Sequence, residues 1–313
     1  MKIKNTITGS LAAFAVFASQ ASAEIVLTDD LSLSGYIDIW LDSIDTGEAD
    51  LGVQEIELAF AFTPADSPWS AVAELSLDGD SFADYGDYKG FAGGEDIRLE
   101  TETVTVTYAA SDALSFTIGN ILSYQGFEAF DATGLYQYSY SGLGGNPLYS
   151  AAYAFGASAD YVTDDYSLGF WIGDNGGSAS TEYLLAYTGV EDLTVKFIYA
   201  DDPGYESMNV WASYDYADYT FAFEYYTDEP TGLESTDSVM FLVYKAFGDA
   251  GLTVRYVDGD DYDGNGAIVD YTRLTFSPSY AFSDSVFGLC EFTFEETDAG
   301  TAESISAELI YSF

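Results

Sequence analysis

The chain has 313 residues, of which 53 are Asp or Glu and eight are Lys or Arg, and its formal net charge at pH 7 is −45. Such acidity disfavours binding to nucleic acid, whose phosphates require positive charge. The sequence contains no His and one Cys, which excludes a Ser-His-Asp triad, histidine metal ligands and an intramolecular disulfide. Aromatic residues make up 17% of the chain, a composition that argues against disorder.

Residues 1–23 carry the features of a secretory signal peptide in the usual order. Lys2 and Lys4 give a positive start, an apolar stretch covers residues 11–18, and Ala21-Ser22-Ala23 is a small-residue cleavage site. The apolar stretch is too short to cross a bilayer as a helix, which takes about 20 residues. We therefore expect export through the inner membrane and a mature chain, residues 24–313, that begins at Glu24.

Beyond residue 30, apolar and polar residues alternate with a period of two, as in strands that separate an apolar medium from a wet one. In the first predicted strand, Ile37, Ile39 and Leu41 share one face. In the last, Leu309 lies on the face opposite Glu308. About sixteen such segments are predicted, most of them long enough for a tilted membrane span of about 9–11 residues: 31–42, 51–62, 69–78, 99–109, 113–121, 149–163, 165–173, 181–190, 192–200, 206–216, 218–227, 237–247, 250–258, 269–282, 284–295 and 302–313.

The connections between these segments alternate in length. Those after even-numbered strands are tight, for example Ala217-Asp218 and Gly248-Asp249, whereas those after odd-numbered strands are mostly longer. Outer-membrane barrels have short periplasmic turns facing longer outer loops. The pattern therefore predicts an all-β protein, a transmembrane antiparallel β-barrel of about 16 strands over residues 24–313. The alternative is a two-layer soluble β-sandwich, in which a regular alternation of short and long connections is not expected.

Three features together resemble the Gram-negative general porins, a 16-stranded outer-membrane family, over nearly the whole mature chain. These are the strand count, the C-terminal Tyr311-Ser312-Phe313, and a longest loop at 122–148 between the fifth and sixth strands. The resemblance implies that this loop folds inward and constricts a pore, that Phe313 is read by the barrel-assembly machinery, and that the protein is a homotrimer. The loop lacks a proline-acid-aromatic-glycine tip, and basic residues are few, which indicates a distant member.

Charged side chains at the narrowest part of a pore select ions. Glu128 and Asp131, on the long loop, are the candidates for an acidic constriction; the alternative is that they lie on a solvated outer loop. Alternation assigns further charged residues to the lumen, where Lys196, Arg255 and Arg273 either set a transverse field or pair with neighbouring carboxylates. The predicted pore-lining residues are Asp38, Glu55, Glu57, Glu74, Lys196, Asp215, Glu224, Arg255, Arg273, Glu291 and Glu308.

One outer loop resembles the first half of an EF-hand calcium loop. Asp261, Asp263 and Asn265 place oxygen ligands at alternate positions, but Thr272 stands where the acidic twelfth ligand is required. Calcium binding is therefore a hypothesis beside an ordinary polar turn, and no other cofactor is expected. The chain presents no recognised catalytic motif, and we do not expect an enzyme.

The sequence thus predicts a passive channel for ions and small hydrophilic solutes, embedded in outer-membrane lipid and preferring cations. A barrel that does not conduct and serves adhesion or envelope structure is the alternative. A secreted acidic β-domain without a membrane role is a third hypothesis.

Overall fold

The computed structural model describes residues 24–44, 49–78, 99–149, 153–175, 178–262 and 266–313. The predicted signal peptide lies outside these residues. Within them, the helical pieces are two short 3-10 turns, Ala132–Gly134 and Leu143–Gly145. No helix in this part of the chain is long and apolar enough to cross a membrane.

The described residues form seventeen strands, and each strand from β2 to β17 pairs antiparallel with its neighbour in sequence. The strands are β1 Ile25–Thr28, β2 Leu31–Ile44, β3 Ala49–Phe62, β4 Trp69–Asp78, β5 Leu99–Ala109, β6 Leu114–Leu122, β7 Tyr153–Val162, β8 Tyr166–Asn175, β9 Ser178–Val190, β10 Leu193–Asp202, β11 Tyr205–Tyr216, β12 Tyr219–Pro230, β13 Thr236–Phe247, β14 Ala250–Tyr262, β15 Ile268–Ser283, β16 Val286–Thr297 and β17 Gly300–Ser312.

The last strand closes the sheet on the first long one. β17 pairs with β2 from Ser304↔Ile44 to Ser312↔Tyr36, and the backbones of Phe313 and Gly35 exchange two hydrogen bonds of 2.9 Å. The short β1 pairs with β2 beyond that point, with Ile25 opposite Leu33. The predicted sixteen-stranded antiparallel barrel, β2 to β17, is confirmed, and the sandwich alternative is wrong.

The tight turns lie where the sequence predicts them, but several outer hairpins are longer than predicted. β12 runs to Pro230 and β14 to Tyr262, whereas the apolar alternation ends at residues 227 and 258. Backbone pairing continues because ladder hydrogen bonds do not require an apolar face. The predicted strand 149–163 corresponds to β7, Tyr153–Val162, and its first predicted residue, Tyr149, belongs to the preceding loop.

The two faces of the barrel reverse the distribution found in water-soluble proteins, in which large apolar side chains are buried. Outward-facing residues such as Leu309 and Phe241 are exposed, whereas inward-facing Glu224 and Thr275 are fully buried. Exposed aromatic side chains also lie beside the tight turns, as in the interfacial aromatic rings of membrane barrels. They include Trp69, Tyr108, Phe116, Tyr166, Tyr187, Tyr216, Phe247, Phe282 and Tyr311.

Candidate functional site

The barrel interior is divided by a loop that we call the inner loop, residues 123–149. It follows β6 and crosses toward the far wall, where its backbone amides donate to inward-facing carboxylates. Tyr124 N donates to Glu182 at 2.8 Å and Phe127 N donates to Glu224 at 2.9 Å. Because these acceptors lie on β9 and β12, they hold the first part of the loop inside the lumen rather than at its mouth.

Part of the wall beneath the inner loop is apolar. Met240 and Val257 point inward and are fully buried, with Leu242 beside them, and they form one cluster with Phe127 and Tyr149 of the loop. An apolar patch facing water inside a barrel is unfavourable, and covering it removes that area from water at about 25 cal/mol per Å². The hydrophobic effect therefore places the loop against this half of the wall.

Gly126 permits the sharp path of the loop beside Tyr149. Its φ is +95°, in the left-handed region, and a Cβ there would lie 2.1 Å from ring atoms of Tyr149. A side chain at this position would meet both backbone strain and a steric clash. The Tyr149 hydroxyl in turn donates to the Glu128 carbonyl.

Glu128 lies in a buried ion pair. Its Oε1 is 2.5 Å from Arg255 Nη1, and the Glu128 and Arg255 side chains are 3% and 0% exposed. Glu128 also accepts from Gln137 Nε2 at 2.8 Å and Ser141 N at 2.9 Å. Arg255 therefore neutralises the negative charge that we expected Glu128 to contribute to an acidic constriction.

A second set of contacts holds the later part of the loop. Ser139 N donates to Glu291 at 3.0 Å, and Ser139 Oγ accepts from Arg273 Nη2 at 2.9 Å. Arg273 also pairs with Glu295 at 2.8 Å, and Glu295 accepts from Gly144 N at 2.9 Å. Arg255 and Arg273 are therefore both paired with carboxylates. Pairing was one of the two interpretations that the sequence left open, the other being a transverse field across the lumen.

The opposite half of the lumen is open and acidic. A cavity of about 470 Å³ lies between the inner loop and the β2–β7 wall. Hydroxyl side chains such as Thr105 and Thr117 line it, together with the carboxylates of Glu57, Glu74 and Asp131. Both predicted constriction residues, Glu128 and Asp131, border this space, and Glu128 is the one that is paired with Arg255.

Glu55, Glu57 and Glu102 form a compact carboxylate group on the same wall, with one oxygen of each within 4.8 Å of the others. Tyr36 Oη and Ser76 Oγ donate to the two oxygens of Glu55 at 2.5 and 2.6 Å. Asp131, on the inner loop, is close enough to this wall for the charges of its carboxylates to change the Asp131 pKa. Burial, followed by the charges of Glu74 and Glu55, raises the pKa of Asp131 to about 7.

Sequence reasoning missed Glu102, because strict alternation with Val104 and Val106 places it on the lipid side. The pairing of β4 with β5 shifts between Ala73↔Val104 and Leu75↔Thr101. This bulge adds one residue to β5 and turns Glu102 inward. Glu182 was missed for another reason: Leu184 and Ala186 share its inward face, so that strand is apolar on both sides.

Of the remaining predicted residues, Asp38 lies opposite Glu55 in the pairing of β2 with β3. Asp38 and Glu308 are buried side by side on β2 and β17. Asp215 accepts from Thr220 at 2.5 Å. The ammonium of Lys196 lies over the Trp211 ring, 4.8 Å from its centroid.

At the outer end, Asp261 borders a second cavity of about 350 Å³ with Asp228 and Asp260. Asp263 and Asn265 lie outside the described residues. Calcium binding by that loop therefore stays a prediction.

No family model matches the chain, and no curated protein matches it in sequence. Solved structures do match over nearly the whole length. OmpT of Vibrio cholerae, expressed in the outer membrane, is 14% identical, with a TM-score of 0.67, covering 93% of this chain and 100% of that one. Salmonella typhi OmpF in complex with daunomycin is 15% identical, with a TM-score of 0.67 and coverage of 93% and 100%. The chain has the fold of the outer-membrane porins.

An anion-selective porin from Comamonas acidovorans shares this porin fold at 14% identity and a TM-score of 0.66, covering 90% of this chain and 99% of that one. The porin fold thus occurs with a selectivity opposite to the one that our acidic sequence predicts. Ion preference must consequently be argued from the side chains of this chain and not from its fold.

Proposed function

We propose that the protein is a passive channel of the outer membrane for ions and small hydrophilic solutes, and that it prefers cations. One observation carries the proposal: the inner loop lies inside a closed barrel and leaves beside it a cavity lined by hydroxyls and carboxylates. An apolar outer face with aromatic rings suits lipid, and a polar lumen suits hydrated solutes. The structures that share the fold come from outer-membrane proteins, which supports this location.

The cation preference rests on which charges remain uncompensated at the cavity. Arg255 forms an ion pair with Glu128 of the inner loop, and Arg273 forms one with Glu295 of β16. Among the described residues that line the cavity, Lys196 is the one basic side chain. The acidic ones are Glu57, Glu74, Asp131 and Asp160, together with Glu128, which is paired with Arg255. Acidic side chains around a narrow passage raise the local concentration of cations and repel anions.

Assembly is proposed by analogy. A trimer form of Vibrio cholerae OmpT shares the fold, with a TM-score of 0.65, which supports a homotrimer for this chain. Phe313 extends the seam strand β17 and pairs with Gly35. An aromatic residue at that end suits recognition by the barrel-assembly machinery after export of residues 24–313.

The test is the reversal potential and conductance of purified, folded protein in a planar bilayer under a KCl gradient. We expect stepwise openings and a cation-selective potential. The double variant Glu74→Gln/Asp131→Asn should shift that potential toward zero, while the exposed acid variant Glu303→Gln should not. Anion preference in the native protein would refute the argument from the cavity carboxylates. No openings from inserted protein would replace the channel by the barrel with an adhesion or structural role.

A further inference from the structure

We propose that Glu55, Glu57 and Glu102 bind one divalent cation on the lumen wall, and that Ca²⁺ is preferred to Mg²⁺. The site differs from the EF-hand-like outer loop, since its ligands come from β3 and β5. Binding requires access from the lumen but no passage of ions through it, so the inference does not depend on the proposed channel activity.

The spacing of the carboxylate oxygens favours the larger ion. One oxygen of each glutamate lies within 4.8 Å of the other two. Two oxygens that bind the same Ca²⁺ at about 2.3–2.6 Å are at most about 5 Å apart, whereas two on Mg²⁺ at about 2.0–2.1 Å are at most about 4.2 Å apart. A spacing of up to 4.8 Å fits Ca²⁺ as it stands, whereas Mg²⁺ requires every pair of ligand oxygens to lie within about 4.2 Å.

The Glu57 side chain supplies an independent reason for a ligand. It is 7% exposed, and its Oε2 has no hydrogen-bond partner among the described residues. A buried carboxylate oxygen without a donor is unfavourable by about 1–3 kcal/mol or more. A cation among the three glutamates removes this deficit, because it supplies a partner that no side chain of the described residues provides.

Charge in the surroundings points the same way. The ion pairs of the described chain involve Asp218, Glu128 and Glu295 and none of the three glutamates. Glu74 and Asp131 add further negative charge nearby. Like charges at such distances repel strongly in a medium of low polarity, and a divalent cation offsets this repulsion.

Two of the three ligands, Glu55 and Glu102, are held in place before the ion arrives. Tyr36 and Ser76 donate to both oxygens of Glu55, and Tyr153 Oη donates to Glu102 Oε2 at 3.2 Å. Donors of this kind orient the carboxylates, as outer partners commonly do at metal sites. Ca²⁺ takes six to eight oxygen ligands, so water from the adjoining cavity would complete its coordination.

The test is isothermal titration of the folded, detergent-solubilised protein with CaCl₂ and, separately, MgCl₂, at pH 8 in 0.1 M NaCl. At this pH Asp131, whose pKa burial and nearby carboxylates raise to about 7, is ionised. We expect one Ca²⁺ per chain, bound at least tenfold more tightly than Mg²⁺. Glu57→Gln should weaken Ca²⁺ binding at least tenfold, whereas Glu303→Gln, which removes a remote exposed carboxylate, should leave it unchanged.

Glu102→Gln provides a second variant if Glu57→Gln does not fold, as judged by circular dichroism and heat-dependent gel mobility. No Ca²⁺ heat from the native protein would overturn the inference. So would weak binding of several ions that persists equally in the site variants, because that behaviour belongs to the acidic surface as a whole. A conducting protein without this binding would leave the proposed channel intact, and a binding protein without conductance would leave the site intact.

Discussion

Replacing Arg255 by Met should release part of the inner loop without unfolding the barrel. Arg255 is fully buried and contributes an ion pair to Glu128 at 2.5 Å and hydrogen bonds to Ser139 O and Oγ at 2.6 and 3.1 Å. Removing one partner of a buried ion pair costs about 3–5 kcal/mol, because the other charge stays buried without compensation. At about 1.4 kcal/mol per factor of ten, the detached loop becomes about two to three and a half orders of magnitude more populated.

The assay combines single-channel conductance with limited proteolysis, the cleavage sites being found by mass spectrometry. We expect larger, noisier conductance and faster cleavage within residues 123–149, with circular dichroism unchanged. The double variant Arg255→Met/Glu128→Gln should be cleaved more slowly than Arg255→Met, since it buries no lone charge. Lys245→Met is the control: it breaks an exposed pair with Asp218 at 3.2 Å, worth about 0–1 kcal/mol. Equal cleavage rates in the Arg255 and Lys245 variants would refute the reasoning.

Three further changes test other parts of the structure. Gly126→Ala should also loosen the inner loop, because a left-handed φ costs a non-glycine residue about 1–3 kcal/mol and the methyl group meets Tyr149; unchanged proteolysis would contradict this. Since the pKa of Asp131 is raised to about 7, lowering the pH from 8 to 6 adds a proton there, and cation selectivity in bilayers should fall; Asp131→Asn should flatten that dependence, and an identical pH profile would exclude Asp131 as its source. Phe241→Arg, on the lipid face, should lower the free energy of unfolding in lipid vesicles by about 2–4 kcal/mol at mid-membrane, whereas a loss no larger than that of Phe241→Ala would place this residue away from lipid.

The barrel could be predicted from the sequence because each strand repeats the same two-residue pattern between an apolar and a wet medium. Each of the sixteen strand patterns is weak alone, but together they support one fold. The alternation of short and long connections also indicates which end of the barrel faces the periplasm. The inward position of the inner loop followed from its length and from a family resemblance. The contacts of the inner loop could not be predicted. Glu128 and Arg255 are 127 residues apart in the sequence, and no local pattern indicates a pairing over such a distance.

The candidate site was predicted in part for the same physical reasons. Glu55, Glu57 and Glu74 were placed in the lumen because alternation holds along their strands. Glu102 was misplaced because one bulge reverses the faces of a strand beyond it. A bulge arises from how two strands pair, which neither strand's own sequence specifies.

The contacts of the inner loop constrain the order in which the protein can fold. The hydrogen bonds that tie it to the barrel wall run to residues later in the chain, from Asp160, 36 residues beyond Tyr124, to Glu291, 152 residues beyond Ser139, and Glu295, 151 residues beyond Gly144. Contacts between such distant residues form slowly, since a large loop must close before any of them is made. The inner loop therefore cannot settle until β16 is in place, when only β17 separates the sheet from closure against β2. Variants that delay the loop should consequently accumulate as open sheets with both edges of the seam available to other chains, a hazard for aggregation during assembly.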